Sequence, residues 1–182
     1  MQLILVRHPQ PQVAPGICYG SSDLLAAPDD VERVHAALLA SASIPPGAPL
    51  YSSPLQRCTA LAYRLGSPTL DARLAEMDFG AWELRSWDDI PRAEVDAWAA
   101  DVAHYRPGGG ENVLEVAARV AAFHAEIMRL PHQHVAIVCH AGTMRLLMAC
   151  HAGLTLPEIA LQAAAKPHRI AYGETVILEA IS

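Results

Sequence analysis

The sequence predicts an α/β fold: a three-layer α/β/α sandwich with a mostly parallel central sheet and a C-terminal hairpin at its edge. Two apolar runs, Leu3-Ile4-Leu5-Val6 and Val135-Ala136-Ile137-Val138-Cys139, read as strands buried on both faces, as parallel strands are. Short strand-like segments alternate along the chain with segments of helical apolar spacing. Each long run also ends on a histidine, His8 or His140, and open α/β sheets bind ligands just beyond the carboxyl ends of their strands.

In order, the first strand stops at Arg7-His8-Pro9, because proline cannot continue a central strand. Residues 9–23 are rich in proline and glycine, which excludes helix, and a loop of that length is usually functional. Within it Gln10 and Tyr19-Gly20-Ser21 offer hydrogen bonds, an aromatic face and backbone amides to a substrate. A helix opens at Pro28-Asp29-Asp30, carries the stripe Val31, Val34 and Leu38, and runs until Pro45-Pro46. Leu50-Tyr51-Ser52 is a short strand. Ser53 then reads as an N-cap and Pro54 as the first residue of a helix whose core side is Leu55, Cys58, Ala62 and Leu65. Arg57 falls in that first turn, where a cation opposes the macrodipole and makes sense if an anion sits there.

Thr69-Leu70-Asp71 is a further short strand, followed by an acid- and aromatic-rich loop from Arg73 to Glu83. Residues 90–103 are expected to be helical, with Val95, Trp98 and Val102 on one side, until Pro107-Gly108-Gly109-Gly110 breaks the pattern. The clearest helix follows Glu111-Asn112, on the stripe Val113, Val116, Val120, Phe123, Ile127 and Leu130. Beyond the second apolar run, a helix begins at about His140-Ala141-Gly142-Thr143 and runs to Cys150. Residues 168–172 and 175–181, joined through Gly173, are expected to form the edge hairpin.

At 182 residues the chain suits one domain spanning 1–182 with a sizeable core, and 52% hydrophobic against 18% charged residues excludes a disordered protein. The net charge of −6 argues against nucleic acid or an anionic membrane as partner, although a few focused arginines can still bind phosphate. The N-terminal apolar run is too short for a signal peptide or a membrane span. Cys18, Cys58, Cys139 and Cys150 have no paired spacing and read as reduced thiols, so a cytoplasmic location is expected.

Arg7-His8, Arg57, Glu76 and His140 thus fall at carboxyl ends of strands, in a first helical turn, or in the acidic loop. Two arginines suit the oxygens of a phosphoryl group, since each binds bidentately. A histidine in line with phosphorus can attack it, a second can stabilise the spreading charge, and an acid can protonate the leaving oxygen.

These blocks resemble the histidine phosphatase superfamily, also called the phosphoglycerate mutase-like family. The matching text is Leu5-Val6-Arg7-His8, Ser52-Ser53-Pro54-Leu55-Gln56-Arg57-Cys58-Thr59-Ala60, Glu76-Met77-Asp78-Phe79-Gly80-Ala81-Trp82-Glu83, Gly109-Gly110-Glu111 and Val138-Cys139-His140-Ala141-Gly142. The resemblance implies that His8 is the phosphorylated nucleophile, that Arg7, Arg57 and His140 complete the phosphate pocket, and that Glu76 is the proton donor. Ala141 and Gly142 would join Gln10, Tyr19, Gly20 and Ser21 in contacting substrate. It implies a cofactor-independent phosphatase of the histidine acid type, with neither metal nor organic cofactor. The expected partner is a small phosphomonoester rather than nucleic acid or membrane, and a homodimer stays open. Where the family commonly writes Arg-His-Gly-Glu, this chain reads Arg7-His8-Pro9-Gln10, and Ala14 stands near the place of a phosphate-holding asparagine.

The compact length and the loop from Gly16 to Asp23 look most like the α-ribazole phosphatase branch, with α-ribazole 5′-phosphate as the expected substrate. Broad-specificity small-molecule phosphatases are the alternative. A phosphoglycerate mutase would need room for a cap that this chain lacks, and a merely phosphate-binding member would have no reason to keep every catalytic position. Nine histidines suggest metal binding, but the nearest thing to a ligand pair, His132-Gln133-His134, lacks a Cys or acidic complement nearby. His35, His104, His124, His151 and His168 read as ordinary helix or surface residues.

Overall fold

The computed structural model describes residues 1–164 and 169–179. Its five-stranded sheet comprises β1 (Gln2–Arg7), β2 (Leu50–Ser52), β3 (Thr69–Leu70), β4 (His134–Cys139) and β5 (Thr175–Leu178), in the order β3-β2-β4-β1-β5. Every pairing is parallel except β1 with β5. The two long apolar runs are the central neighbours β1 and β4, in register from Gln2 opposite His134 to Arg7 opposite Cys139.

Side chains alternate across these strands, and each face is covered. Leu3, Leu5, Val135, Ile137 and Cys139 enter the core shared with α4 (Val113–Ile127), α5 (Ala141–His151) and α6 (Leu156–Ala164). Val6 and Val138 enter the opposite core, shared with α1 (Pro28–Ser41) and α2 (Gln56–Leu65). This is the expected three-layer sandwich. α4 is the best-capped helix: Asn112 accepts from the Glu115 backbone N–H, and Glu115 reaches back to the Asn112 N–H. Among the described residues, no helix is long and apolar enough to cross a membrane.

The elements differ from expectation in detail: α1 stops at Ser41, with Ala42 in the left-handed region as its cap, rather than running to Pro45-Pro46. α2 begins at Gln56 with Leu55 in the capping position, so Ser53 is not an N-cap. Ser53 instead extends the pairing of β2, its N–H donating to the Val138 carbonyl at 3.0 Å. The helix expected over 90–103 is shorter, α3 (Arg92–Ala100). The edge hairpin is a single strand: β5 pairs with β1, while 169–172 run as a loop and turn, and His168 and 180–182 lie outside the described residues. The loop's backbone is engaged elsewhere, since the Ile170 carbonyl accepts from Arg7. Finally, α6 was not foreseen, although Thr155 and Glu158 bear a capping signature and bond as one, at 2.8 Å from the Thr155 N–H.

Candidate active site

The parallel register of β1 and β4 determines where the histidines stand. The His8 N–H donates to the Cys139 carbonyl at 2.9 Å, one step past the strand end, and the rings of His8 and His140 lie 5.0 Å apart. Both are buried, at 2% and 1% exposure. They open onto a cavity of about 860 Å³ that Arg7, Arg57, Glu76, Tyr19, Ala141 and Gly142 also line.

His8 Nδ1 lies 2.7 Å from the Pro9 carbonyl oxygen. A carbonyl only accepts, so Nδ1 carries the proton and Nε2 keeps its lone pair. Pro9 therefore supplies what the site uses, its carbonyl, and the N–H it lacks is not missed. Burial first, then Arg57, pushes His8 down to about 3, with Arg7 adding to the shift and the Pro9 hydrogen bond opposing it. Burial likewise holds His140 well below the ordinary histidine range, aided by the charges of Arg57, His8, Arg119 and Arg7. His140 Nε2 sits 2.8 Å from Ser53 Oγ and 3.5 Å from Cys58 Sγ. Burial pushes that thiol up to about 12, so it is a neutral neighbour.

The arginines are held from behind. Arg57 is fully buried, and its terminal nitrogens donate to the Ser22 carbonyl, at 2.7 Å, and to the Gly20 carbonyl. Those carbonyls are fixed because Glu83 accepts from the backbone N–H groups of Gly20, Ser21, Ser22 and Phe79 at 2.9 to 3.2 Å. Arg7 donates to the Ile170 carbonyl at 2.6 Å and lies 3.9 Å over the Tyr172 ring. In both arginines the Nε–H is buried and without a hydrogen-bond partner among the described residues. Two buried donors left unmatched beside two histidines are what an anion site requires.

Glu76, in the loop that follows Leu74, brings its carboxylate to the first turn of α5 and lines the same cavity. Its Oε2 accepts from the Gly142 N–H at 3.0 Å and its Oε1 from the Met77 N–H at 3.1 Å. A β-carbon on Gly142 would meet Oε1 at 2.5 Å, so glycine is what lets the carboxylate come so near the helix. The Glu76 loop is anchored by Arg119, which donates to the carbonyls of Arg73, Ala75 and Glu76 and pairs with Glu111. Glu111 in turn accepts from the Asp78 N–H at 3.0 Å, which gives the Gly109-Gly110-Glu111 block its physical meaning.

The expected substrate loop is only partly at the cavity. Tyr19 lines it, with its hydroxyl 2.8 Å from that of Tyr172, and Ala141 and Gly142 line it at the positive end of α5. Gln10 does not: it is exposed, its N–H is tied to Asp30, and its carbonyl accepts from the Ala27 N–H. Gly20 and Ser21 also stand behind the site, because their amides and the Ser21 hydroxyl are taken by Glu83 and Asp78. A β-carbon on Gly20 would meet the Met77 carbonyl at 1.9 Å. Sequence reasoning gave Tyr172, Ser53 and Arg145 no place in the site: Tyr172 and Ser53 come from other segments, and Arg145 sits on α5 shortly after His140. Arg145 lines the cavity; burial lowers its guanidinium below the ordinary value, while the Glu76 charge works the other way. Only its spacing on the helix after His140 could have pointed to it. His134 Nδ1 contacts Gln2, His124 contacts His151, and among the described residues no three His, Cys, Asp or Glu side chains gather as metal ligands do.

Comparison with known proteins agrees with this geometry. The model for the histidine phosphatase superfamily (branch 1) matches residues 3–170. The adenosylcobalamin/α-ribazole phosphatase of Escherichia coli (strain K12) is 35% identical over 80 residues, which is 42% of this chain and 39% of that protein, so the chain spans well under half of that relative. The crystal structure of the α-ribazole phosphatase from Shigella flexneri superposes with a TM-score of 0.80 at 26% identity, covering 97% of this chain and 89% of that one. A mycobacterial glucosyl-3-phosphoglycerate phosphatase in complex with VO3 gives a TM-score of 0.79 at 26% identity, with 98% and 92% covered.

Proposed function

Because this chain belongs to the histidine phosphatase superfamily, branch 1, we propose that it hydrolyses small phosphomonoesters through a phosphohistidine on His8. The observation that carries the reading is the pair of buried, unmatched Nε–H groups of Arg7 and Arg57 beside the neutral rings of His8 and His140. The His8 Nε2 lone pair attacks phosphorus, the ester P–O bond breaks, and Glu76 in its acid form gives the leaving oxygen a proton. Arg7, Arg57 and the α5 N-terminus meet the charge on the transferring group, and His140 donates a hydrogen bond to it. In the second half, water attacks the phosphohistidine, Glu76 takes the water's proton, the P–N bond breaks, and His8 is restored.

The substrate we favour is α-ribazole 5′-phosphate, supported by the names of the E. coli and Shigella relatives and by an aromatic cavity wall with few charges. One observation favours a second reading. Arg145 lines the cavity, and a cation there suits a leaving group bearing a carboxylate, such as the phosphoglycerate unit in the mycobacterial relative's name.

Acid-labile phosphate should appear rapidly on the wild type and not on His8→Ala. Label retained by His8→Ala would overturn the assignment. Comparing kcat/KM for α-ribazole 5′-phosphate, ribose 5-phosphate, 3-phosphoglycerate, glucosyl-3-phosphoglycerate and nucleoside monophosphates tests the substrate. Preference for either phosphoglycerate ester would favour the Arg145 reading, interconversion of phosphoglycerate isomers would restore the mutase, and a flat profile would indicate broad specificity.

A further inference from the structure

Tyr19 and Tyr172 stand 153 residues apart in the chain and line one cavity with Arg7, His8 and Arg57. Each belongs to a segment that already grips one of the two arginines. Residues 170–174 hold Arg7: the Ile170 carbonyl accepts from its Nη1, the Gly173 N–H donates to its carbonyl at 3.1 Å, and the Glu174 carbonyl accepts from its N–H at 3.0 Å. Between those contacts Tyr172 presents its ring, with the Arg7 guanidinium carbon 3.9 Å from the centroid and the His8 ring at 5.6 Å. Residues 20–22 grip Arg57 in the same manner, through the Gly20 and Ser22 carbonyls. Tyr19, the residue just before them, has the Arg57 guanidinium carbon 5.5 Å from its ring centroid.

The two tyrosine hydroxyls join these halves at 2.8 Å. Arg7, Tyr172, Tyr19 and Arg57 thus make one continuous chain beside His8: cation on ring, hydroxyl to hydroxyl, ring on cation. Burial first, then the bond to Tyr172, raises the Tyr19 phenol above its ordinary value against the pull of both arginines, so the link stays protonated at neutral pH. Such a link has a use. The arginines stand on separate elements, at the end of β1 and in the first turn of α2, and their like charges repel until an anion lies between them. A spacing fixed in advance lowers the cost of bringing both to one phosphoryl group. We propose that Tyr19 and Tyr172 are a positioning pair whose hydroxyl–hydroxyl bond sets the spacing of Arg7 and Arg57, so that Tyr19 acts on the phosphate through Arg57 and not on the leaving group. This rests on the reading of the cavity as a phosphoryl-transfer site, and adds to it two residues that touch no reacting atom.

The test is a double-mutant cycle on Tyr19→Phe and Tyr172→Phe, which remove the hydroxyls and keep the rings. The probe is orthovanadate, which carries no leaving group and whose calorimetric affinity needs no turnover. Each single variant should bind it about 2- to 10-fold more weakly, the range a neutral hydrogen bond spans. The double variant should lose the same factor and not its square, because only one bond is broken. In kcat/KM that factor should recur unchanged for a small and a bulky phosphomonoester. Tyr172→Leu, which also takes the ring from Arg7, should bind vanadate more weakly than Tyr172→Phe. Losses that multiply in the double variant would overturn the proposal, and so would a loss confined to the bulky ester. A lowered thermal midpoint with vanadate affinity unmoved would reduce the pair to a structural tie and overturn it too. Coupled loss of vanadate affinity in a protein that hydrolyses neither ester would remove the phosphatase reading and leave the pair standing. Hydrolysis through His8 with vanadate affinity unmoved in the variants would do the reverse.

Discussion

At the scale of single residues, the site is built by denying its groups alternatives. His8 and His140 are kept neutral by burial and by arginine charge. In the unfolded chain both would take up protons near the ordinary histidine value of about 6.5, whereas the folded chain resists until far lower pH. Stability is therefore expected to fall as pH drops from about 6.5 toward 3, by about 1.4 kcal/mol per pH unit for each such histidine. Denaturant melts of the wild type between pH 7 and 4 should show that slope, and His8→Gln should make it shallower; identical slopes would mean that His8 is not held neutral. Glu76→Gln should slow alkyl phosphate hydrolysis by roughly 10²–10⁴-fold and p-nitrophenyl phosphate hydrolysis much less, because the nitrophenolate leaves without a proton. Equal losses on both substrates would make Glu76 a binding group. Gly142→Ala probes the same carboxylate from the backbone side. Its β-carbon would meet only the mobile end of Glu76, so little change is expected in the thermal midpoint while the alkyl phosphatase rate falls by about 10²-fold. A loss of stability as large as the loss of rate would contradict that account.

Among the elements, the loops behind the site matter as much as the strands before it. Glu83 gathers the amides of 20–22 and Phe79, so the carbonyls that grip Arg57 depend on a side chain that never reaches the cavity. Burial raises the Glu83 pKa, but hydrogen bonds from Ser22 and the backbone N–H groups outweigh it and hold the carboxyl below its ordinary value. Its contribution is present above the ordinary glutamate range and is lost as pH falls through the depressed folded value. Glu83→Gln should therefore raise KM for any phosphomonoester more than it lowers kcat, and should remove part of the acid limb of stability. A pure kcat defect would show that the clamp does not act through Arg57. These dependencies also explain what was legible in the chain. Strands β1 and β4 and helices α1 and α4 were readable because apolar periodicity is local; Arg7, His8, Arg57 and His140, which now line one cavity, adjoin such elements, whereas Glu76, in an irregular loop, was legible only through the family resemblance. Gln10 and Ser21 were misread because a polar loop residue advertises hydrogen bonds without saying to whom, and here Asp30, Asp78 and Glu83 had claimed them. Tyr172 and Ser53 carried no such signal because only the tertiary fold brings them to His8 and to His140, while Arg145 looks in the sequence like any polar position of the helix after His140.

Over the whole molecule, the sheet order has a consequence for how the protein is made. β1 leaves the ribosome ahead of the other four strands, yet both its neighbours, β4 and β5, come from 134–139 and 175–178. At about 5–20 residues per second, the interval between the first strand and β4, the first of its partners to emerge, is roughly 7–26 s. For that time Leu3-Ile4-Leu5-Val6, fully buried at the end, has no strand to pair with. Synthesis from one end thus runs against the order in which the sheet closes. Nascent chains stalled before residue 134 should remain open to protease over residues 1–60 and should bind holdase chaperones through that first run. Protection of β1 should arrive together with that of β4, late and in one step, and earlier protection would point to a temporary partner for the strand. The histidine that follows the first strand is, in this topology, set in its final place among the last residues of the sheet.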